Sequence, residues 1–189
     1  MSTQSKPFIT PEQYLEIERN AEYKSEYLNG EMFAMAGGSG PHNQICSNVN
    51  RDLNQQLRQR PCIVYTSDMQ VQVSTTGLYT YPDACVVCGK ARFLDEREQT
   101  LLNPTLIIEV LSPSTEAYNR GRKFEHYKTI ESLAQYLLVS SDHMYLDLFT
   151  RQPNGEWLLS SASAPSDSLE LTSIQCRLVV DDIYEKVEF

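Results

Sequence analysis

The segment Leu106-Ile107-Ile108-Glu109-Val110-Leu111 constrains this chain more than any other. It is too short to span a membrane and too apolar for a surface, so residues 105–111 read as a buried central strand. A carboxylate sits inside it. Side chains alternate along a strand, so Ile107, Glu109 and Leu111 share one face and Ile108 and Val110 the other. Turning Glu109 to solvent would expose two large apolar neighbours, and leaving it unpaired in the core is costly. The strand must therefore bring Glu109 to a cation, a metal or a cleft, with residues 112–115 as the rim. A salt-bridged or edge-strand carboxylate is the plain structural alternative.

A second acid, Asp83, follows Pro82 and precedes the apolar run Ala84-Cys85-Val86-Val87-Cys88. Alone it reads as a turn residue; its interest depends on Glu109. Lys123 lies in the basic stretch Asn119-Arg120-Gly121-Arg122-Lys123, in a segment that reads as a helix over about 116–129. Asn119, Lys123 and Tyr127 recur at helical spacing and share a face. Two acids on neighbouring strands plus one lysine suit metal-assisted hydrolysis. Arg120 and Arg122 point elsewhere and are candidates for backbone phosphates. Without further information, Lys123 equally reads as part of a solvated helix face.

The remaining signals give an order of elements. Thr10-Pro11-Glu12-Gln13 predicts a capped helix ending near Asn20, with Tyr14, Leu15 and Ile17 as its apolar face. Asn29-Gly30 predicts a tight hairpin, bracketed by Glu26 and Glu31, either of which could reach the same cleft. Gly37-Gly38-Ser39-Gly40-Pro41 breaks regular structure. Residues 42–57 predict a long helix with Ile45, Val49, Leu53 and Leu57 as its stripe, and Asn48 and Asp52 away from it. His42 either caps this helix or contacts a substrate. Strands are expected over 63–65, 69–73 (preceded by Asp68) and 84–88. Residues 92–103 read as a loop with a helical turn. Beyond the 116–129 helix, strands are expected toward 139, over 144–149 and over 157–160, the last two flanking the turn Pro153-Asn154-Gly155. Residues 169–171 and 176–180 are ambiguous, and a short helix is expected at 181–184. This order describes a mixed α/β domain over residues 1–189, with 1–9 as a flexible lead.

The net charge of −9 argues against a broad phosphate-coating surface, yet it tolerates a small metal-bridged site. Five cysteines, an odd number in a chain of ordinary size, read as reduced core thiols. Cys85 and Cys88 are a lone Cys-x-x-Cys on a strand, without the second pair that a zinc ribbon needs. His126 and His143 have no ligand-spaced companions. No phosphate-cradling glycine loop occurs. With neither a leader-like apolar stretch nor a membrane span in the sequence, a cytoplasmic protein is expected.

The ordered set Glu26-Tyr27-Leu28-Asn29-Gly30-Glu31, His42, Tyr81-Pro82-Asp83, Ile108-Glu109-Val110-Leu111-Ser112-Pro113-Ser114-Thr115 and Lys123-Phe124-Glu125-His126-Tyr127 resembles the Uma-type family of "putative restriction endonucleases" in the PD-(D/E)xK nuclease superfamily. The resemblance spans residues 10–184. It implies a restriction-endonuclease-like core, a mixed central sheet flanked by helices, with a Mg²⁺ (or Mn²⁺) site at one edge. Asp83 and Glu109 would be the metal-binding acids, joined by the backbone carbonyl of Val110. The superfamily lysine, two residues after the second acid, is replaced here by Leu111, and the resemblance moves that role to Lys123. Glu31 or Glu26 would be the early acid. His42 and Tyr127 support the site. Asn119 stands where the family pattern carries an aspartate.

The function expected is Mg²⁺-dependent hydrolysis of DNA phosphodiesters. One rival is a catalytically impaired nuclease-like scaffold that binds nucleic acid or a protein partner. The other is a hydrolase of another phosphoester. Cutting both strands of a duplex at once needs two sites, which would be met by a homodimer.

Overall fold

In the computed structural model, residues 8–189 are described. Helix α1 (Pro11–Asn20) begins as expected. Thr10 accepts from the Gln13 N–H, and the Gln13 side chain accepts from the Thr10 N–H. Tyr14 is buried, but Ile17 of the anticipated apolar face is exposed. The hairpin of β1 (Ser25–Leu28) and β2 (Glu31–Ala34) turns through Asn29 and Gly30, both at positive φ as this two-residue turn requires. Of the expected flexible lead, residues 1–7 lie outside the described ones. Ile9 is tied down, its N–H donating to the Gly30 carbonyl.

Helix α2 (Gly40–Leu57) starts two residues earlier than the spacing indicated. Ser39 caps it and Pro41 enters its first turn, so Gly40 and Pro41 are not part of a loop. Ile45, Val49, Leu53 and Leu57 are buried as a stripe. Asn48 is buried as well, donating to the Ile183 and Glu185 carbonyls and fastening the helix to the C-terminal segment.

The strands are β3 (Cys62–Thr66), β4 (Gln70–Val73), β5 (Leu78–Thr80), β6 (Ala84–Cys88), β7 (Thr100–Leu101), β8 (Leu106–Leu111), β9 (Gln135–Ser140), β10 (Leu146–Arg151), β11 (Trp157–Ala162), β12 (Ser168–Leu171) and β13 (Cys176–Val179). β5 had no clear signal, being three residues long. β7 replaces the anticipated helical turn within 92–103. Short helices are α3 (Glu116–Tyr118), α4 (Phe124–Tyr127) and α5 (Val180–Ile183), and a π-helical turn, Asn119–Lys123, joins α3 to α4.

The central sheet has the order β11-β10-β9-β8-β6-β3 and is mixed. β8 runs parallel to β9 and antiparallel to β6, and all six of its residues are buried. One face packs Ile108 and Val110 against α2, α5 and the β12–β13 pair. The other packs Ile107 and Leu111 against Phe124, Tyr127 and the smaller sheet β2-β1-β5-β4-β7. The alternation expected for β8 is thus what divides the core, with Glu109 on the second face. The molecule is a mixed α/β structure, a mixed central sheet flanked by helices on both faces.

Two thiols correct the reduced-cysteine expectation. Cys62 and Cys88 stand opposite each other on β3 and β6 and form a disulfide, while Cys46, Cys85 and Cys176 are free. Strand register brings together cysteines 26 residues apart, which no local spacing reveals. Among the described residues no helix is long and apolar enough to cross a membrane.

Candidate active site

The β6–β8 register places the two acids. Ala84 pairs with Ile108, so Asp83, one step before the strand, comes level with Glu109. Both line a cleft of about 570 Å³ with Glu26, His42, Asn119 and Lys123, rimmed by residues 112–115. The neighbouring strands expected of the acid pair are therefore β6 and β8, and the loop after β8 is its rim.

Glu109 is 4% exposed. Its Oε1 accepts from Lys123 Nζ at 2.9 Å and from the Tyr127 hydroxyl at 2.8 Å. No described residue donates to its Oε2. Burial pushes the Glu109 carboxyl up to about 7, helped by Asp83 and resisted by Lys123. Lys123 reaches back from the π turn and also meets Glu26 at 2.9 Å. Burial works against its charge, but Glu109 and Glu26 outweigh it and raise its pKa. Thr80, on the unanticipated β5, donates to Glu26 and fixes that acid. The π turn matters because it buries both Asn119 and Lys123 ahead of α4. Such turns alter helix register locally and are frequent at functional sites.

Asp83 is held on both oxygens. The Val110 N–H donates to Oδ2 at 2.7 Å, and His42 Nε2 lies 3.1 Å from Oδ1. In an extended strand a residue's N–H and C=O project to the same edge, so the Val110 carbonyl opens toward Asp83 too. The hydrogen bond with Asp83 raises the His42 pKa against burial, and the Val110 carbonyl adds to this. Gly38 packs on the His42 ring: a Cβ there would lie 2.3 Å from its Cδ2, so any larger residue would have to push the ring aside.

The cleft thus gathers Asp83, Glu109, Lys123, Val110, Glu26, His42 and Asn119, with Tyr127 directly behind. It does not gather Glu31, exposed on the edge strand β2; Glu26 occupies the place considered for either. Arg120 is spent elsewhere, bridging Glu116 at 2.7 Å and the buried Asp147 at 2.5 Å, so it is not free to meet a phosphate. Arg122 is exposed but outside the cleft. Asn119 Oδ1 is buried without a hydrogen-bond partner. Sequence reasoning missed Thr80 and Cys46. Thr80 carried no signal, whereas Cys46 stands four residues after His42 on α2 and its spacing could have been noticed.

The oxygen donors at the cleft are of the type a hard divalent cation takes. Three acids, Asp83, Glu109 and Glu26, converge there on Lys123, beside His42. Asp83, Glu109 Oε2 and the Val110 carbonyl are all oxygens, the ligands that Mg²⁺ takes.

Residues 11–180 match the Uma2 family, described as "putative restriction endonuclease". Two proteins of Synechocystis sp. (strain ATCC 27184 / PCC 6803 / Kazusa) are similar. The uncharacterized protein slr1290 is 40% identical over 97% of this chain and 95% of its own length. The uncharacterized protein sll1609 is 31% identical over 87% and 93% respectively. A crystal structure of a putative nuclease belonging to DUF820 from Anabaena variabilis superposes with a TM-score of 0.76. It covers 95% of this chain and 99% of that one, at 19% identity.

Proposed function

This chain belongs to the Uma2 family of "putative restriction endonucleases", and on that premise we propose that it is a Mg²⁺-dependent endonuclease hydrolysing DNA phosphodiester bonds. The observation that carries the reading is the convergence of Asp83, Glu109 and Lys123 at one cleft from β6, β8 and the π turn. Asp83, Glu109 and the Val110 carbonyl would hold the cation. When bound, Mg²⁺ (or Mn²⁺) supplies a lowered pKa for the attacking water and counter-charge for the phosphate.

The protein's own groups do the remaining work. Two N–H bonds of the Lys123 ammonium go to Glu26 and Glu109, leaving the third for the water or a phosphate oxygen. Tyr127 and Lys123 together fix the Glu109 rotamer, so its Oε2 is presented without reorganisation. The Val110 N–H and His42 do the same for Asp83. Arg122 is the remaining candidate for a contact with the DNA backbone. A homodimer would supply a second site for the opposite strand.

The test is cleavage of supercoiled plasmid DNA with Mg²⁺. Asp83→Asn, Glu109→Gln and Lys123→Met should each lower the rate at least about a hundredfold while the circular dichroism spectrum stays native. Equal cleavage by all four proteins would sink the reading. Binding without cleavage by the wild type would favour the scaffold instead, the reading that the neutral Asn119 supports.

A further inference from the structure

A second set of donors lies beside the oxygen site and shares one member with it. α2 carries His42 and Cys46 one turn apart, on the side facing Asp83. A ring nitrogen of His42, the Cys46 sulfur and a carboxylate oxygen of Asp83 all lie within 4.8 Å of one another. In a tetrahedral zinc site, bonds of about 2.0–2.3 Å set donor separations of roughly 3.3–3.8 Å. Small side-chain rotations would close this triangle on an ion. Cys46 is a free, half-buried thiol. His42 and Asp83 line the cleft, so an ion would enter from there and keep an open position toward it.

The donor types choose the ion. A nitrogen, a sulfur and one carboxylate suit Zn²⁺ or Co²⁺, whereas Mg²⁺ prefers oxygen throughout. We propose that His42, Cys46 and Asp83 form a separate transition-metal site, with the preference of Zn²⁺, that competes with the Asp83–Glu109 site for the Asp83 carboxylate. Its filling draws Asp83 Oδ1 toward α2 and away from Glu109. Zn²⁺ would then oppose Mg²⁺-supported cleavage. Only that consequence rests on the nuclease reading; the binding itself does not.

Titration of the intact, metal-free protein with Co²⁺ tests the binding, because a Cys46 thiolate on Co²⁺ gives a charge-transfer band in the near ultraviolet. One equivalent should saturate the band in the wild type. Cys46→Ala should abolish it, and His42→Ala should weaken binding at least tenfold. Glu109→Gln, which touches only the oxygen site, and Cys176→Ala should leave the band in place. No band in the wild type, or a band that survives Cys46→Ala, overturns the proposal. In the cleavage assay with Mg²⁺, Zn²⁺ should inhibit the wild type and lose at least tenfold of its potency against Cys46→Ala; equal potency against both overturns the competition. A wild type that shows the cobalt band but never cleaves DNA would retire the nuclease reading and keep the site, while cleavage without the band would do the reverse.

Discussion

Glu109 carries a pH signature. Its folded pKa of about 7 lies above the ordinary value of 4.5. The neutral acid is therefore the form that folding favours. The stability it contributes is fully present below about pH 4.5 and is lost as pH rises through about 7. His42, raised by Asp83, acts with the same sign from its ordinary 6.5 upward, whereas Lys123 does not change charge in this window. Metal-free wild type should thus lose denaturant resistance between pH 5 and 8, and Glu109→Gln should lose clearly less. Urea midpoints across that range check this, and parallel curves would contradict it. Lys123→Met leaves Glu26 and Glu109 facing each other without their shared cation and should cost about 3–5 kcal/mol. Much at this scale was legible. Apolar neighbours marked Glu109, and helical spacing put Asn119, Lys123 and Tyr127 on one segment, but the single helix expected over 116–129 is broken by the π turn at 119–123 that buries the first two. What stayed hidden was which early acid reaches the cleft. Glu26 and Glu31 flank one turn with equivalent local sequence, and only the pairing of β1 with β5 turns Glu26 inward toward Lys123.

Single elements were legible where their punctuation was local. The capping box at Thr10, the Asn29-Gly30 turn and the stripe of α2 each depend on residues a few positions apart. β7 and the Cys62–Cys88 bond depend on partners far along the chain, so short-range patterns could not show them, whereas β5 closes a local hairpin with β4 through Gly77 at positive φ, a turn that could have been read. The disulfide fastens the edge strand β3 to β6, the strand that Asp83 precedes. For a loop of this length the chain-entropy account assigns roughly 3–4 kcal/mol. Reduction should lower the thermal midpoint by several degrees, read by calorimetry with and without reductant; an unchanged midpoint would mean that the bond contributes little. At the loop before α2, Gly38→Ala should displace the His42 ring, and its imidazole resonance should lose the raised pKa that contact with Asp83 imposes.

For the whole molecule, a net charge of −9 leaves little room for an extended phosphate-binding face. Arg120, tied to Glu116 and Asp147, reduces that room further. DNA affinity should therefore depend on the cation in the cleft and vary only weakly with salt, with a log–log slope no steeper than about −3. Filter binding across NaCl concentrations, with and without Ca²⁺ as a cation that should permit binding without turnover, reads this directly. A steep slope would contradict this and point to a basic surface in place of the cation-bridged contact. The mixed sheet was foreseeable from the order of elements and from the resemblance. The second sheet was not, because its strands pair out of chain order and bring β1 beside β5. Everything proposed for the site rests on Asp83 and Glu109 serving one ion. Anomalous diffraction from crystals soaked in Mn²⁺ tests that most directly. One peak should appear in the cleft, with oxygens of Asp83, Glu109 and the Val110 carbonyl at about 2.1–2.2 Å. A peak that engages only one of the two acids, or no peak in the cleft at all, would contradict it.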